Sequence, residues 1–368
     1  MNGVGAARRS ANRKSGLRAG ARRYDVEGVS HLFQFRRYRL PLRAPVRTAH
    51  GAWTEREGVL VRLANAAGAV GFGEAAVIPW FGTETVDEAE AACRELGDRV
   101  EAEHLAAVPV ELPGVRNALA AALADLARAP EAEADGARRK FLPVAALLPA
   151  GRGAPAAVRA KEELGFRIFK WKVGVGDVAE ELPLLDEVCA ALPSGAKLRL
   201  DANGAWTLDE ARRRLDALAG MGVAYVEQPC AGAEVFALGE RAVPWAADEA
   251  LIDAGHRARF LADADARRGC AAVVLKPMAL GWMAAREAAV AAGALGLGVV
   301  VTHLLDGPVA LAAACELARS VPGVWACGLD RHPGLDAWPA VPVPQAQGPW
   351  ARRATGGGLG LGEEANKY

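Results

Sequence analysis

The chain contains 368 residues, of which 52% are hydrophobic, and this is enough to build one large barrel with an accessory domain. Lysine and arginine together number 44, as do aspartate and glutamate, so no net charge attracts nucleic acid or an anionic membrane surface. The composition therefore argues against intrinsic disorder and favours a small-molecule partner, with neither nucleic acid nor a membrane as a partner.

The first segment, residues 1–30, is basic and is predicted to be a disordered, solvated tail. Its first 24 residues carry seven lysines and arginines and no acidic residue, which also suits a transit peptide or a nucleic-acid-binding arm. The tail is favoured because the segment lacks both apolar periodicity and the interleaved aromatic residues of a nucleic-acid site. No run of about 18 apolar residues occurs in the chain, so neither a membrane span nor a secretory signal is predicted, and the cytoplasm is the expected location.

Residues 31–140 are predicted to form a small α+β domain. Short alternating apolar runs between residues 31 and 76, with a turn at residues 65–68, indicate an antiparallel sheet. Helical spacing follows at residues 85–107 and 115–128. Thr85 precedes Glu88 by three residues, which is the signature of a helix-capping box.

Residues 141–332 are predicted to form a closed parallel barrel, because short β-rich runs alternate there with helical stretches. A second capping box begins the helix at Thr207, and Gly220 and Gly222 are expected to end it. The glycine-rich and proline-rich residues 333–368 are expected to pack back on the first domain. Eight β-rich runs are present, at residues 141–148, 166–173, 197–202, 224–228, 243–248, 271–276, 297–303 and 324–329.

Polar residues end six successive β-rich runs of the predicted barrel, 21 to 29 residues apart, which is about one βα unit. Functional residues of such barrels come from the carboxyl ends of successive strands. A single aspartate after a strand is more often a helix N-cap than a metal ligand, but a set of charged residues in register favours a site. These six residues are Lys172, Asp201, Glu227, Asp248, Lys276 and Thr302.

Three of these residues, Asp201, Glu227 and Asp248, are predicted to bind a divalent cation. They end adjacent strands and point at one spot, where bare carboxylates would repel one another. Oxygen ligands favour Mg²⁺, with Mn²⁺ as the second choice, and no cysteine or histidine stands at these positions to favour zinc.

Two lysines, Lys170 and Lys172, share one face of a strand, and Lys276 approaches the same centre from the other side. Because each lysine of the first pair disfavours the other's charge, one of them is expected to be a neutral base. Removing a proton next to a carboxylate places a second negative charge on oxygen, which a metal ion stabilises. The pattern therefore predicts metal-assisted proton abstraction by lysine.

Five sequence motifs contain these residues, namely Lys170-Trp171-Lys172-Val173-Gly174, Asp201-Ala202-Asn203-Gly204, Val226-Glu227-Gln228-Pro229, Ala247-Asp248-Glu249 and Leu275-Lys276-Pro277. Together they resemble the muconate-lactonising subgroup of the enolase superfamily over residues 35–335. The resemblance implies a modified (β/α)7β barrel of the TIM type under an N-terminal α+β capping domain. It also implies that Lys172 is the acid and base, that Lys276 lies opposite, and that Lys170, Arg199 and Asn203 border the substrate.

Within that subgroup, Arg199 and the stretches at residues 74–79 and 81–85 are similar to o-succinylbenzoate synthases of menaquinone biosynthesis. This resemblance implies a carbon–oxygen lyase that dehydrates 2-succinyl-6-hydroxy-2,4-cyclohexadiene-1-carboxylate by syn elimination, with Lys172 removing the α-proton and Lys276 acting as a cation. The seventh strand departs from the family's serine-rich pattern and reads Thr302-His303-Leu304-Leu305-Asp306. Asp306 is expected to replace the family's glutamate at the substrate, and His303 to be a strand-end or cap residue.

Residues 41–51, which include Arg47, are expected by analogy with the family to be a loop that closes the site over the substrate; the alternative is a solvated hairpin loop. Two other functions remain open at this point. The nearer one is a racemase or epimerase of N-acylamino acids or dipeptides, since lysines on both faces of an α-carbon also suit 1,1-proton transfer. The other is a non-catalytic, metal-binding relative. The sequence does not predict the oligomeric state.

Overall fold

In the computed structural model of the chain, the described residues are 30–48, 51–128, 141–174, 178–330, 345–352 and 359. The basic tail predicted at residues 1–30 lies outside them, apart from Ser30. None of the helices in these ranges is both long and apolar enough to cross a membrane.

Residues 31–128 form an antiparallel sheet packed against helices. The sheet has the strand order β3-β2-β1-β4. Glycine at positions 71 and 73 lets the long third helix lie directly on β3, because a Cβ at Gly73 would stand 1.9 Å from the carbonyl oxygen of Ala118. The elements are β1 (His31–Thr48), β2 (Gly51–Ala64), β3 (Val70–Ala75), α1 (Val86–Glu95), β4 (Arg99–Val100), α2 (Ala102–Ala107) and α3 (Pro113–Arg128).

The helix predicted at residues 85–107 begins as expected but is interrupted. The Thr85 side chain accepts a hydrogen bond from the Glu88 amide, and the Glu88 side chain accepts one from the Thr85 amide. The predicted capping box is therefore confirmed. Gly97 then adopts φ +71, which ends the helix, and β4 pairs with β1 before α2 begins. The prediction of one continuous helix was wrong because it did not weigh this glycine.

The segment predicted as a loop at residues 41–51 is largely a β-ribbon. β1 continues to Thr48, and its pairing with β2 includes Val46 opposite Trp53, after a register shift between Pro41 and Val46. Apart from residues 49–50, which are outside the described ranges, the two strands therefore continue through most of the segment.

Residues 141–330 form the predicted barrel. Its seven parallel strands have the order β12-β11-β10-β9-β8-β7-β6. The eighth predicted run closes the ring without forming a regular strand: Gly328 bridges to Thr302 and Cys327 bridges to Val144. The elements are β5 (Phe141–Pro143), β6 (Ala146–Leu147), α4 (Ala154–Glu163), β7 (Ile168–Lys172), α5 (Val178–Ala191), β8 (Lys197–Asp201), α6 (Leu208–Ala217), β9 (Val223–Glu227), β10 (Trp245–Ala247), α7 (Ala254–Ala262), β11 (Cys270–Leu275), α8 (Pro277–Leu280), α9 (Trp282–Ala294), β12 (Gly298–Val301) and α10 (Pro308–Ser320).

The described part of the C-terminal segment pairs mainly with the barrel, which differs from the expected packing on the first domain. Strands β13 (Gln345–Gln347) and β14 (Trp350–Arg352) form an antiparallel hairpin, and β14 pairs with β5. The hairpin therefore supplies hydrogen-bond partners to the backbone groups along the edge of β5. Leu359 does reach the first domain, because its amide donates to Asp125 Oδ1 on α3 at 2.5 Å.

Candidate active site

The ends of strands β7 to β11 bring the predicted lysines and carboxylates to one end of the barrel. Lys172 lies beside Asp201, and Asp201 lies beside Glu227, in the register of three adjacent parallel strands. Asp248 and Lys276 directly follow β10 and β11. Because the sheet is parallel, equal positions along successive strands face one centre.

Lys170 lies between two of the predicted metal ligands. Its Nζ is 2.6 Å from Glu227 Oε1 and 2.9 Å from Asp201 Oδ2. Burial opposes the charge of Lys170, but Asp201 and Glu227 outweigh it and raise its pKa well above the usual value. Burial is likewise outweighed at Asp201, where Lys170 and Lys172 lower the pKa. Lys170 is therefore held as a cation by two carboxylates, whereas Lys172 is exposed and donates to the neutral Asn203.

Lys276 occupies a corresponding position on the other flank. Its Nζ donates to Asp248 Oδ1 at 2.5 Å and to Glu249 Oε1 at 2.7 Å. Burial opposes its charge, but Asp248 and Glu249 outweigh it and raise the pKa of Lys276. The environment therefore favours the cationic form that was expected of this residue.

A bridge of two side chains links the lysines, and one of its members was missed in the sequence. Lys172 Nζ donates to Asn203 Oδ1 at 3.0 Å, and Asn203 Nδ2 donates to Glu249 Oε1 at 3.2 Å. Asn203 has φ +44, a conformation that asparagine tolerates better than most residues. Glu249 directly follows Asp248, and its position after a predicted ligand was the available signal.

The loop that carries Asp248 is fixed by a second residue that the sequence analysis did not single out. Gln228 Oε1 accepts from the amides of Asp248 and Ala250, each at 3.1 Å. Its own amide donates to the carbonyl oxygen of Cys230 at 2.8 Å. Gln228 is buried with φ +41, so its strained backbone places the side chain across the end of β10.

The carboxylates fit a hard divalent cation in their chemistry. Asp248 Oδ2 and Glu249 Oε2 are buried without a hydrogen-bond partner, and Asp248 lies close enough to Glu227 for the two carboxylates to repel each other. Burial and the charge of Glu249 raise the pKa of Asp248 well above its usual value, as expected where carboxylates crowd together. Within the described ranges no three acidic, histidine or cysteine side chains converge closely enough to form a ready cage, and ammonium groups contact the carboxylates instead.

Arg199, which the resemblance places beside the substrate, and Thr302, which ends the seventh predicted run, both make internal contacts. Arg199 is 5% exposed, donates to the carbonyl oxygen of Ala326 at 2.5 Å and lies over the ring of Tyr225. Thr302 Oγ1 donates to the carbonyl oxygen of Gly328 at 3.0 Å. The Arg199 side chain reaches from strand β8 to the eighth run, so it lies inside the barrel.

His303 binds to the backbone around its own loop. His303 Nε2 is hydrogen-bonded to the carbonyl oxygen of Asp330 at 2.8 Å, and its Nδ1 accepts from the Asp306 amide at 3.3 Å. These bonds agree with the expected role of His303 as a strand-end residue that fixes the turn.

Arg47 pairs with Ala52 through its backbone, and its side chain lies outside the described part of the structure.

Asp306, which was expected to bind substrate, is buried in the loop after β12. Its side chain is 1% exposed, and Oδ1 accepts from the Leu304 amide at 3.1 Å. Burial raises its pKa to about 6, although Arg56 opposes the shift. In the structure Asp306 braces the backbone of this loop, and its role at the substrate stays a prediction.

We expect Asp306→Asn to stabilise the protein at neutral pH. Between about pH 4 and 6 the folded protein holds a proton on Asp306 that the unfolded chain has lost, so the free energy of unfolding falls as pH rises through this window. Above it the buried carboxylate costs up to about 3 kcal/mol. Asparagine keeps the acceptor for Leu304 and removes that cost. Denaturant unfolding at pH 4 and pH 8 measures the difference, with the exposed Asp186→Asn as control; equal stability changes at both pH values would contradict it.

Comparison with known proteins agrees with this arrangement. Residues 154–365 match the family described as enolase C-terminal domain-like, and residues 31–126 match the family described as MenC, N-terminal domain. The fold and these matches define a member of the enolase superfamily.

Individual relatives indicate the family within the superfamily to which the chain belongs. An o-succinylbenzoate synthase of Thermosynechococcus vestitus is 39% identical over 200 residues, covering 54% of this chain and 60% of that protein. One from Yersinia enterocolitica is 30% identical and covers 84% of this chain and 94% of its own length. The structure of o-succinylbenzoate synthase from Thermosynechococcus elongatus BP-1, with magnesium in its active site, has a TM-score of 0.71 at 31% identity and covers 86% of this chain and 96% of that chain. The chain belongs to the o-succinylbenzoate synthase family.

Proposed function

We propose that the chain is an o-succinylbenzoate synthase of the cytoplasm. It dehydrates 2-succinyl-6-hydroxy-2,4-cyclohexadiene-1-carboxylate, a step of menaquinone biosynthesis, with Mg²⁺ as cofactor and Mn²⁺ as an alternative ion. The observation that carries this proposal is the placement of Lys172 and Lys276 on opposite flanks of the carboxylates, in a chain whose full-length relatives have this activity.

Asp201, Glu227 and Asp248 would hold the metal ion. When bound, Mg²⁺ supplies stabilisation of the negative charge that develops on the substrate carboxylate as the α-proton leaves. Lys170 and Lys276 contact these carboxylates as cations, so their ammonium groups must give way in part as the ion binds.

Lys172 removes the α-proton in this proposal. Its side chain is exposed at the open end of the barrel, and the hydrogen bond to the neutral Asn203 side chain holds Nζ in place. The protonated Lys172 then returns its proton to the departing hydroxyl on the same face, so water leaves and the lysine becomes neutral again. One residue thereby serves both steps of a syn elimination.

Lys276 holds positive charge on the opposite flank throughout the reaction. Its contacts with Asp248 and Glu249 favour the ammonium form, which stabilises an electron-rich ring through a cation–π contact and is a poor base. A racemase would instead need this lysine to exchange a proton with the substrate. The environment of Lys276 therefore favours elimination with one base.

The experiment is absorbance-monitored turnover of the cyclohexadiene carboxylate by the purified chain, with Mg²⁺ and with chelator. Metal-dependent formation of the aromatic product is expected. A parallel incubation of an N-succinyl amino acid in D₂O tests the alternative by deuterium incorporation at the α-carbon. Exchange without dehydration would overturn the synthase assignment and favour racemisation.

A further inference from the structure

A buried carboxylate of the first domain contacts the beginning of helix α10 in the barrel. Glu74, on β3, is fully buried. Its Oε2 accepts from the amides of Val309 at 3.0 Å and Ala310 at 2.8 Å, and its Oε1 accepts from the Tyr38 hydroxyl at 2.5 Å. Because the first amides of a helix have no partner within it, this carboxylate satisfies two of them from the other domain.

Gly307 leaves space for this contact. A Cβ at Gly307 would stand 1.7 Å from Glu74 Oε1, so any side chain there would expel the carboxylate. Gly58 leaves space for Tyr38 in the same way, since a Cβ at Gly58 would lie 2.5 Å from the Tyr38 hydroxyl. Two glycines from different domains thus enclose the Tyr38–Glu74 pair.

Arg56, on β2, makes a second bridge to the same loop. It is 1% exposed, and its Nε donates to the carbonyl oxygen of Leu305 at 3.1 Å while Nη1 donates to that of Val77 at 2.8 Å. Leu305 has φ +52, a conformation that is costly for a leucine and persists only where its surroundings enforce it. The bond from Arg56 supplies part of that constraint.

These bridges lie between two parts of the molecule that flank the active site. The loop at residues 302–307 leaves the barrel directly beside Lys276, because the Thr302 amide donates to the carbonyl oxygen of Leu275 at 3.0 Å. Tyr38 and Arg56 lie on the two strands that continue as the β-ribbon toward Val46. The bridges therefore tie the rim of the site to the base of the ribbon.

We propose that Tyr38, Arg56 and Glu74 form an interdomain clamp that positions the 302–307 loop and the β-ribbon for substrate binding. The contacts that tie these three residues to the loop and to helix α10 involve neither the lysines nor the carboxylates of the site, so they are positioning residues. The effect on kinetics rests on the proposed function, because it requires a substrate that spans from the metal site to this rim. Loosening the clamp changes how the substrate is held and leaves proton transfer by Lys172 unaltered.

Tyr38→Phe is the test variant, because it removes the hydroxyl and keeps the ring. We expect KM to rise about fivefold to tenfold while kcat stays within about twofold, the pattern of lost uniform binding. In Glu74→Gln the side-chain oxygen still accepts from Val309 and Ala310, and the NH2 group donates to the Tyr38 hydroxyl, so this variant is expected to stay close to wild type. Glu74→Ala loses all of these bonds and is expected to raise KM like Tyr38→Phe. Arg62→Gln, on β2 and bonded to Gln34, is the matched control.

Hydrogen exchange provides a readout that needs no turnover. In the metal-free protein without substrate, the Val309 and Ala310 amides are expected to exchange faster in Tyr38→Phe than in Arg62→Gln. Failure of the wild-type chain to dehydrate the substrate would sink the proposed function and leave this measurement intact. Exchange and KM in Tyr38→Phe equal to those of Arg62→Gln, or a fall in kcat as large as the rise in KM, would overturn the clamp.

Discussion

Lys172→Ala is expected to lower kcat by about a thousandfold or more, since a positioned general base contributes about 10²–10⁴ and this lysine serves both proton transfers. The change leaves no buried group unpaired. Lys172 is exposed and donates to Asn203, whose amide still contacts Glu249 after the substitution. The fold and the carboxylate cluster should therefore survive the loss of activity.

The measurement combines kcat, the midpoint of thermal unfolding and Mg²⁺ binding by calorimetry. Lys197→Ala is the matched control, because Lys197 is an exposed lysine at the opposite end of the neighbouring strand β8. We expect the control to keep wild-type turnover and both variants to bind Mg²⁺. Turnover by Lys172→Ala within tenfold of wild type would assign the base to another residue.

The barrel and the order of its charged residues could be predicted from the sequence because both follow from local periodicity. A parallel βα unit has a nearly fixed length, so polar residues that end successive runs must meet at one end of the sheet. The register of Lys172, Asp201 and Glu227 follows this rule. The eighth run was also located correctly, although it closes the barrel through single bridges.

Contacts between distant segments could not be predicted in the same way. Strand parity predicted that Lys170 and Lys172 share a face, but it did not reveal that Lys170 pairs with carboxylates. Nothing in the local pattern indicated that the Arg199 side chain reaches Ala326. Glu74 contacts residues more than 230 positions later in the chain. Such pairings depend on how two domains dock, and no periodicity within either domain encodes that.

The predicted substrate role of Asp306 illustrates a related limit. The sequence indicated an acidic residue near the expected position, and the structure shows that the loop turns it inward to the Leu304 amide. The sequence at a strand end shows which functional group is present. The backbone of the following loop determines which way that side chain points. Leu305, next to Asp306, has φ +52, so the backbone is left-handed at the point where the loop turns.

The second large effect is expected from Lys170→Met in the metal-free protein. The Lys170 ammonium is bonded to Asp201 and Glu227, whose side chains are each only 2% exposed. Removing one partner of a buried ion pair leaves uncompensated charge and costs about 3–5 kcal/mol. Methionine preserves most of the apolar stem, so the loss reports charge compensation and not packing.

Mg²⁺ should restore much of this loss, because a divalent ion bound to the same carboxylates supplies the missing positive charge. A ligand that binds only the folded state stabilises it in proportion to RT ln(1 + [L]/Kd), so the Mg²⁺-induced gain should be larger in Lys170→Met than in wild type. Urea unfolding in chelator and in Mg²⁺ measures both gains. Lys161→Met is the control, since its ammonium lies 3.9 Å from Asp330 in a partly exposed pair that contributes at most about 1 kcal/mol. Equal stability of Lys170→Met and Lys161→Met in chelator would show that Lys170 does not compensate the charge of the carboxylates. Its role would then be substrate binding alone.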